Sequence, residues 1–223
     1  MKTTGILIVD IQGDFTRLKH GSLAVEGTDA DYLRIVTQTA RNLKTHGFKL
    51  FATQDWHPAD HISFFTNTPG KKPFETSVFK GRTQILWPPH CIQHTKNADL
   101  LIDPSLFTAI VQKGMHPEYD SYSGFRDDGG RPTGLDDILN AHDISHLVIF
   151  GLATDFCVKA TVLDAVANGY DVTVIKSLCK GVAEESTRAA WDEMKQKGVR
   201  FIAGSDVNAV INAVKTDFPP DSA

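Results

Sequence analysis

The stretch Gly5-Ile6-Leu7-Ile8-Val9-Asp10 decides the fold. An unbroken apolar run that ends on a carboxylate reads as a strand covered on both faces, as in a parallel sheet. A parallel strand needs a crossover helix, and residues 29–46 supply one. Leu33, Val36, Ala40 and Leu43 recur there at helical spacing, and Gly47 closes the run. Lys49 to Thr53 reads as a second strand, ending just before Asp55. Residues 56–108 form a long connection rich in Pro, Gly, His and aromatics, with little regular structure expected. A connection of that length is usually functional or disordered.

Periodicity resumes at Ala109-Ile110-Val111, a short strand running into Gln112-Lys113-Gly114. Helices are expected over 133–141, 155–168, 184–197 and 206–215, and strands over 146–150, 171–175 and 200–203. Positions 216–223, with Pro219-Pro220, read as a frayed tail. Strands alternating with helices give an α/β fold, a parallel sheet covered on both sides. With no repeat, linker or low-complexity segment, residues 1–223 read as one domain.

Composition narrows the function. The chain has 223 residues, 41% hydrophobic and 22% charged, ordinary for a globular protein. A net charge of −4 provides no basic field for nucleic acid or an anionic membrane, so a small-molecule partner is expected. The N-terminus has no apolar h-region, and no apolar run approaches the roughly 20 residues that span a bilayer. The three cysteines, Cys91, Cys157 and Cys179, are odd in number and widely spaced, which is no disulfide framework. Reducing cytoplasm is the expected compartment.

The chemistry collects at strand ends. Asp10, Asp55, Lys113 and the turn from Gly151 to Cys157 all follow strands, and ligands in open α/β sheets bind beyond the carboxyl ends of the strands. Cys157 falls in the first turn of the expected helix, where the macrodipole favours a thiolate. Asp10 could take the thiol proton, with Lys113 biasing charge toward the sulfur. Backbone N–H groups between Ala153 and Cys157 would face a developing oxyanion. Singly each residue has a bland reading: a free cysteine is usually a buried apolar filler, and a lysine usually snorkels at the surface. Their convergence on one edge is the signal. A second group, Asp55, His57, His61 and His90, offers one carboxylate and three imidazoles, a set suited to zinc, iron or manganese. His94 is a rival ligand nearby.

The chain resembles the nicotinamidase/pyrazinamidase family, within the isochorismatase-like cysteine hydrolases, over nearly its whole length. The resemblance rests on ILIVDIQGDF at 6–15, GSLAV at 21–25, TQDWHPADH at 53–61, WPPHC at 87–91, KG at 113–114, DSYSGF at 120–125 and GLATDFCV at 151–158. It implies a doubly wound, six-stranded parallel sheet in three layers and a triad of Asp10, Lys113 and Cys157. It implies one divalent metal held by Asp55, His57 and His90, with His61 the third histidine. A cis peptide between Leu152 and Ala153 would shape an oxyanion hole from the Ala153 and Cys157 N–H groups. Phe15 and Trp87 would sandwich a pyridine ring, and Leu23, Tyr122 and Phe156 would finish the pocket. The implied reaction is hydrolysis of nicotinamide to nicotinate and ammonia through a thioester, with pyrazinamide as a further substrate. The segment Thr16–Gly21 is longer and more basic than the family pattern, which puts the lid and substrate range in doubt.

Two rivals remain at this level: an amidohydrolase of the same superfamily acting on carbamoyl or ureido substrates, and a non-catalytic metal or small-molecule binding protein on the same scaffold. Isochorismatase chemistry itself is disfavoured, because those enzymes lack this cysteine and this Asp/His cluster. Oligomeric state is left open.

Overall fold

The central sheet is built outward from its first strand. In the computed structural model, which describes residues 3–204 and 207–217, strand β1 (Thr3–Val9) is buried from its second residue onward. It is flanked by β2 (Lys49–Asp55) and by β6 (Ile144–Gly151), parallel to both. The full order is β5-β2-β1-β6-β7-β8, every pair parallel, with β5 at Ala109–Lys113, β7 at Asp171–Ile175 and β8 at Arg200–Ile202. The chain winds out from β1 through β2 to β5, then returns to start again at β6. The order therefore reverses between β1 and β6, and a crevice opens beyond the carboxyl ends of strands at such a reversal.

Helix α1 (Ala30–Thr45) starts where Asp29 accepts from the Tyr32 N–H at 3.0 Å, an N-cap. Its buried face is Tyr32, Val36, Thr39, Ala40 and Leu43. Leu33, expected on that face, is only partly buried. α1 packs against α5 (Val207–Asp217), and α3 (Lys159–Ala167) packs against α4 (Glu184–Gln196). The expected six-stranded, doubly wound α/β architecture is the one found.

Several boundaries differ for identifiable reasons. The helix expected over 133–141 is α2 (Leu135–Ala141), because Gly134 adopts a left-handed φ of 92°. The helix expected over 155–168 opens instead as a π-type turn over Thr154–Val158, and α3 begins only at Lys159. The long connection holds more structure than expected. Strands β3 (Thr76–Phe79) and β4 (Arg82–Ile85) form an antiparallel hairpin. Its two-residue turn, Lys80-Gly81, has φ of 49° and 79°, the double positive φ that matches strand twist in tight hairpins. Positions 216 and 217 continue α5 rather than fray. The rest of the expected tail, 218–223, lies outside the described residues.

Candidate active site

Register brings the reactive groups together before any side chain is considered. Asp55 and Lys113 are direct partners across β2 and β5. Val9 pairs with both Thr53 and Gly151, so Asp10 and the turn after β6 leave the sheet side by side. Gly151 is obligatory here: its φ is 142°, and a Cβ would lie 2.1 Å from the Val9 carbonyl oxygen. The Leu152–Ala153 peptide is cis.

Lys113 is the hub. It is 1% exposed. Its ammonium donates to the Asp55 carboxylate and to the Ser121 carbonyl at 2.8 Å, and lies 3.0 Å from Asp10 Oδ2 and 3.4 Å from Cys157 Sγ. The other oxygen of Asp10 accepts from the Thr53 hydroxyl at 2.6 Å. Asp10, Asp55 and Cys157 present atoms that all lie within 4.8 Å of one another. Burial pushes the Asp10 carboxyl above its ordinary value, with Lys113 opposing. For Asp55 burial acts the same way, but Lys113 and then His57 outweigh it and hold the carboxyl well below the usual range.

The cysteine departs from expectation. Burial pushes the Cys157 thiol well up; Lys113 pulls it down, and Asp10 and Asp55 add to the rise. The macrodipole argument required the start of an α-helix at this position, and the π-type turn over Thr154–Val158 stands there instead. Cys157 therefore rests as a thiol, close to the Asp10 carboxylate whose proton affinity is itself raised by burial.

The Asp/His group divides into two overlapping donor sets. Asp55, His57 and His90 place ligand atoms within 4.8 Å of one another, and so do His57, His61 and Asp120. His57 Nδ1 lies 2.9 Å from the Gly114 carbonyl and His90 Nδ1 2.8 Å from that of Pro88. A carbonyl can only accept, so each Nδ1 carries the hydrogen, and in the neutral ring each Nε2 is left with a free lone pair, the tautomer metal-binding histidines take. Gly114 is needed for this, because a Cβ there would lie 2.3 Å from the His57 ring. His61 is held differently: Ser63 engages its Nδ1 at 2.7 Å, and its Nε2 lies 3.2 Å from the Tyr119 carbonyl. Burial and the neighbouring His57 lower both His61 and His90 to about 4. His57 shifts the other way: burial would lower it, but the facing Asp55 raises it. The rival ligand His94 instead stacks edge-on to Trp56, 5.4 Å between ring centroids.

Above these groups lies a cavity of about 200 Å³ with Asp55, His90 and Cys157 in its wall. Phe15, Leu23, Trp87, Tyr122 and Phe156 all line it, as does Ala153. Trp87 donates to the Tyr122 hydroxyl at 2.9 Å and meets the Phe156 ring edge-on at 5.1 Å. The wall is aromatic and its rings touch one another, Tyr122 and Phe156 lying 5.7 Å apart between centroids. Four contributors escaped sequence reasoning. Gln12 is fully buried and clamps Asp55 from both sides: its Oε1 accepts from the Asp55 N–H and its Nε2 donates to the Asp55 carbonyl, each at 2.8 Å. Thr53, Ser121 and Asp120 are the others. Gln12 and Asp120 both sit inside family-like stretches, at one residue from Asp10's neighbour and at the head of DSYSGF, but no spacing rule reveals their contacts.

The chain is similar to known proteins over nearly its whole length. The sequence profile of the isochorismatase domain matches residues 4–206. The Escherichia coli K12 nicotinamidase is 38% identical over 211 residues, covering 92% of this chain and 97% of that one. This chain belongs to the nicotinamidase/pyrazinamidase family. Among solved structures of the family, an Acinetobacter baumanii nicotinamidase/pyrazinamidase superposes with a TM-score of 0.82 at 38% identity, covering 94% of this chain and 99% of the other. A pyrazinamidase of Pyrococcus horikoshii, solved in complex with zinc, gives a TM-score of 0.74 at 32% identity, covering 90% and 99%. Among the described residues, no helix of this family member is long and apolar enough to cross a membrane.

Proposed function

We propose that this protein hydrolyses nicotinamide to nicotinate and ammonia, with Cys157 as nucleophile, Asp10 as proton carrier and Lys113 as the cation that holds both in place. The observation that carries the reading is the convergence of Asp10, Lys113 and Cys157 beside an aromatic slot whose wall also contains an Asp/His donor set. A planar heteroaromatic amide suits such a slot, because Phe15, Trp87, Tyr122 and Phe156 line it with aromatic surface and Asp55, His90 and Cys157 stand in the same wall.

The steps follow from the protonation states. Asp10, ionised against Lys113 but of raised proton affinity, takes the thiol proton as Cys157 Sγ attacks the amide carbon. The carbonyl oxygen becomes an oxyanion, for which the Ala153 and Cys157 N–H groups are the donors in this reading. Collapse expels the amine, which leaves as ammonia after receiving the proton from Asp10. A water then adds to the thioester carbon with Asp10 again accepting a proton. Nicotinate departs, and the thiol regains its hydrogen.

Asp55, His57 and His90 fit a divalent metal. Two tautomers are fixed with lone pairs outward, and His57 Nε2 is buried with no hydrogen-bond partner, 3.5 Å from Asp55 Oδ2. One carboxylate with imidazoles suits zinc first, with iron or manganese as alternatives. A bound metal would supply Lewis acidity and an anchor for a ring nitrogen. His61, beside His57, would complete the set by turning its Nε2 away from Tyr119.

Ammonia release from nicotinamide by the purified protein tests the reading. Release that Cys157→Ala abolishes supports it. Release from carbamoyl or ureido compounds and not from nicotinamide would replace it with the superfamily alternative, and release from no amide would leave a binding protein. A cytoplasmic enzyme recycling the pyridine ring is the setting such a reaction fits.

A further inference from the structure

The mouth of the cavity carries two apolar residues that the reaction does not use. Phe74 is 63% exposed and Val182 is 50% exposed, yet both line the same cavity as Cys157. Phe74 has a φ of 69°, the left-handed region that disfavours a bulky side chain with a Cβ. Nothing in the core requires a phenyl group there; a glycine or asparagine would suit the backbone better. An exposed aromatic held in an unfavourable backbone conformation points to a role outside packing.

Phe74 is also held firmly. Its N–H donates to the Leu86 carbonyl at 2.6 Å, and its ring stands edge-on to Trp87, centroids 6.0 Å apart at 88°. The adjoining hairpin is fastened by Lys80 to Glu118 at 2.7 Å, and Lys80 and Arg82 flank the Tyr119 ring. Val182 is fixed through its backbone: its N–H donates to Asp155 Oδ1 at 2.9 Å, two residues before the nucleophile. Asp155 also accepts from the Ser186 hydroxyl at 2.5 Å, tying the loop to α4. Two apolar residues with anchored backbones thus add partly exposed surface to the lining of the aromatic slot.

We infer that Phe74 and Val182 form an outer subsite for an apolar ring substituent or fused second ring on a pyridine-type carboxamide. The inference rests on the amidohydrolase reading above and adds a substrate class to it. Substrates extended at the ring edge facing the mouth would bury Phe74 and gain contact; the bare pyridine ring, seated deeper between Phe15 and Trp87, would reach it little.

The test compares nicotinamide with quinoline-3-carboxamide on wild type, Phe74→Ala, Phe74→Gly and Val182→Ala. Wild type should hydrolyse both amides. Phe74→Ala should lower kcat/KM for the quinoline amide about tenfold, mainly through KM, the size expected for losing an aromatic contact. Nicotinamide should fall only about twofold. Phe74→Gly, which relieves the backbone, should give the same ratio, so a folding defect would not explain it; Val182→Ala should move it by about threefold. Equal losses on both amides, faster turnover of the quinoline amide by Phe74→Ala, or a wild type that rejects the quinoline amide would overturn the subsite while leaving nicotinamide hydrolysis standing. A wild type inert toward nicotinamide would instead refute the underlying reading, and would do so before any variant is made.

Discussion

Replacing Lys113 by methionine isolates what the buried cation does. The substitution keeps an unbranched side chain in a site 1% exposed and removes the charge. Asp10 and Asp55 are then left facing each other, and the Ser121 carbonyl loses its donor. At an effective dielectric of about 20, one unit pair at 3 Å is worth about 5–6 kcal/mol before desolvation is counted. Relief of the lysine's own desolvation offsets much of this, and breaking a buried pair from one side typically costs about 3–5 kcal/mol net. Against a total of about 5–15 kcal/mol for a domain, that loss is large. At about 2–4 °C per kcal/mol for a chain of this size, Tm should fall by about 10 °C. The charge argument makes a second demand: Asp10→Asn in the Lys113→Met background removes one of the two stranded carboxylates and should restore part of the loss. Urea unfolding followed by circular dichroism measures both. A Lys113→Met protein within about 1 kcal/mol of wild type, or a double variant less stable than the single, would show that Lys113 is not the electrostatic keystone its contacts suggest.

Gln12→Ala should cost about 1–3 kcal/mol, because it strands the buried Asp55 N–H and takes a donor from the Asp55 carbonyl, while the Ala98 carbonyl keeps its second donor, Gln54 Nε2, at 2.9 Å; urea unfolding checks this, and equilibrium dialysis should show weakened zinc binding through a displaced Asp55. Metal-free protein should lose stability as pH falls from 6.5 toward 4. His61 and His90 are held neutral with values lowered to about 4, so the unfolded chain binds more protons in that window. His90→Asn should flatten that slope in urea titrations at pH 7 and pH 5; an unchanged slope would remove His90 from the account. Trp87→Ala should raise KM for nicotinamide by an order of magnitude or more, since it removes the slot wall and the anchor of the Tyr122 hydroxyl together; an unaltered KM would place the ring elsewhere.

What the sequence displayed well was periodic or punctuated. The apolar run before Asp10 announced a central parallel strand, Gly47, Gly169 and Gly198 marked helix ends, and the reactive residues stood at strand termini where the fold must gather them. What stayed hidden depended on contacts between distant segments. The β3–β4 hairpin lay inside a stretch of mixed polarity, with only Lys80-Gly81 as a turn signal, and its strands are half exposed, so neither alternation nor a buried run appeared. The clamp of Gln12 on Asp55 joins residues 43 positions apart, and nothing local distinguishes that glutamine from a surface one. The thiol of Cys157 misled for a related reason. A cysteine just after a strand looks like a helix N-terminus, but its proton affinity is set first by burial, then by Lys113 opposing it and by Asp10 and Asp55 adding to it. The fold could be inferred from local pattern; the electrostatics required the assembled site.

Covalent trapping addresses the core of the mechanism. Protein mixed with excess nicotinamide, quenched in acid within milliseconds and measured by intact and peptide mass spectrometry should carry one nicotinoyl group, located on Cys157. An unmodified protein under turnover, combined with ammonia release that survives Cys157→Ala, would contradict a thioester pathway at this sulfur.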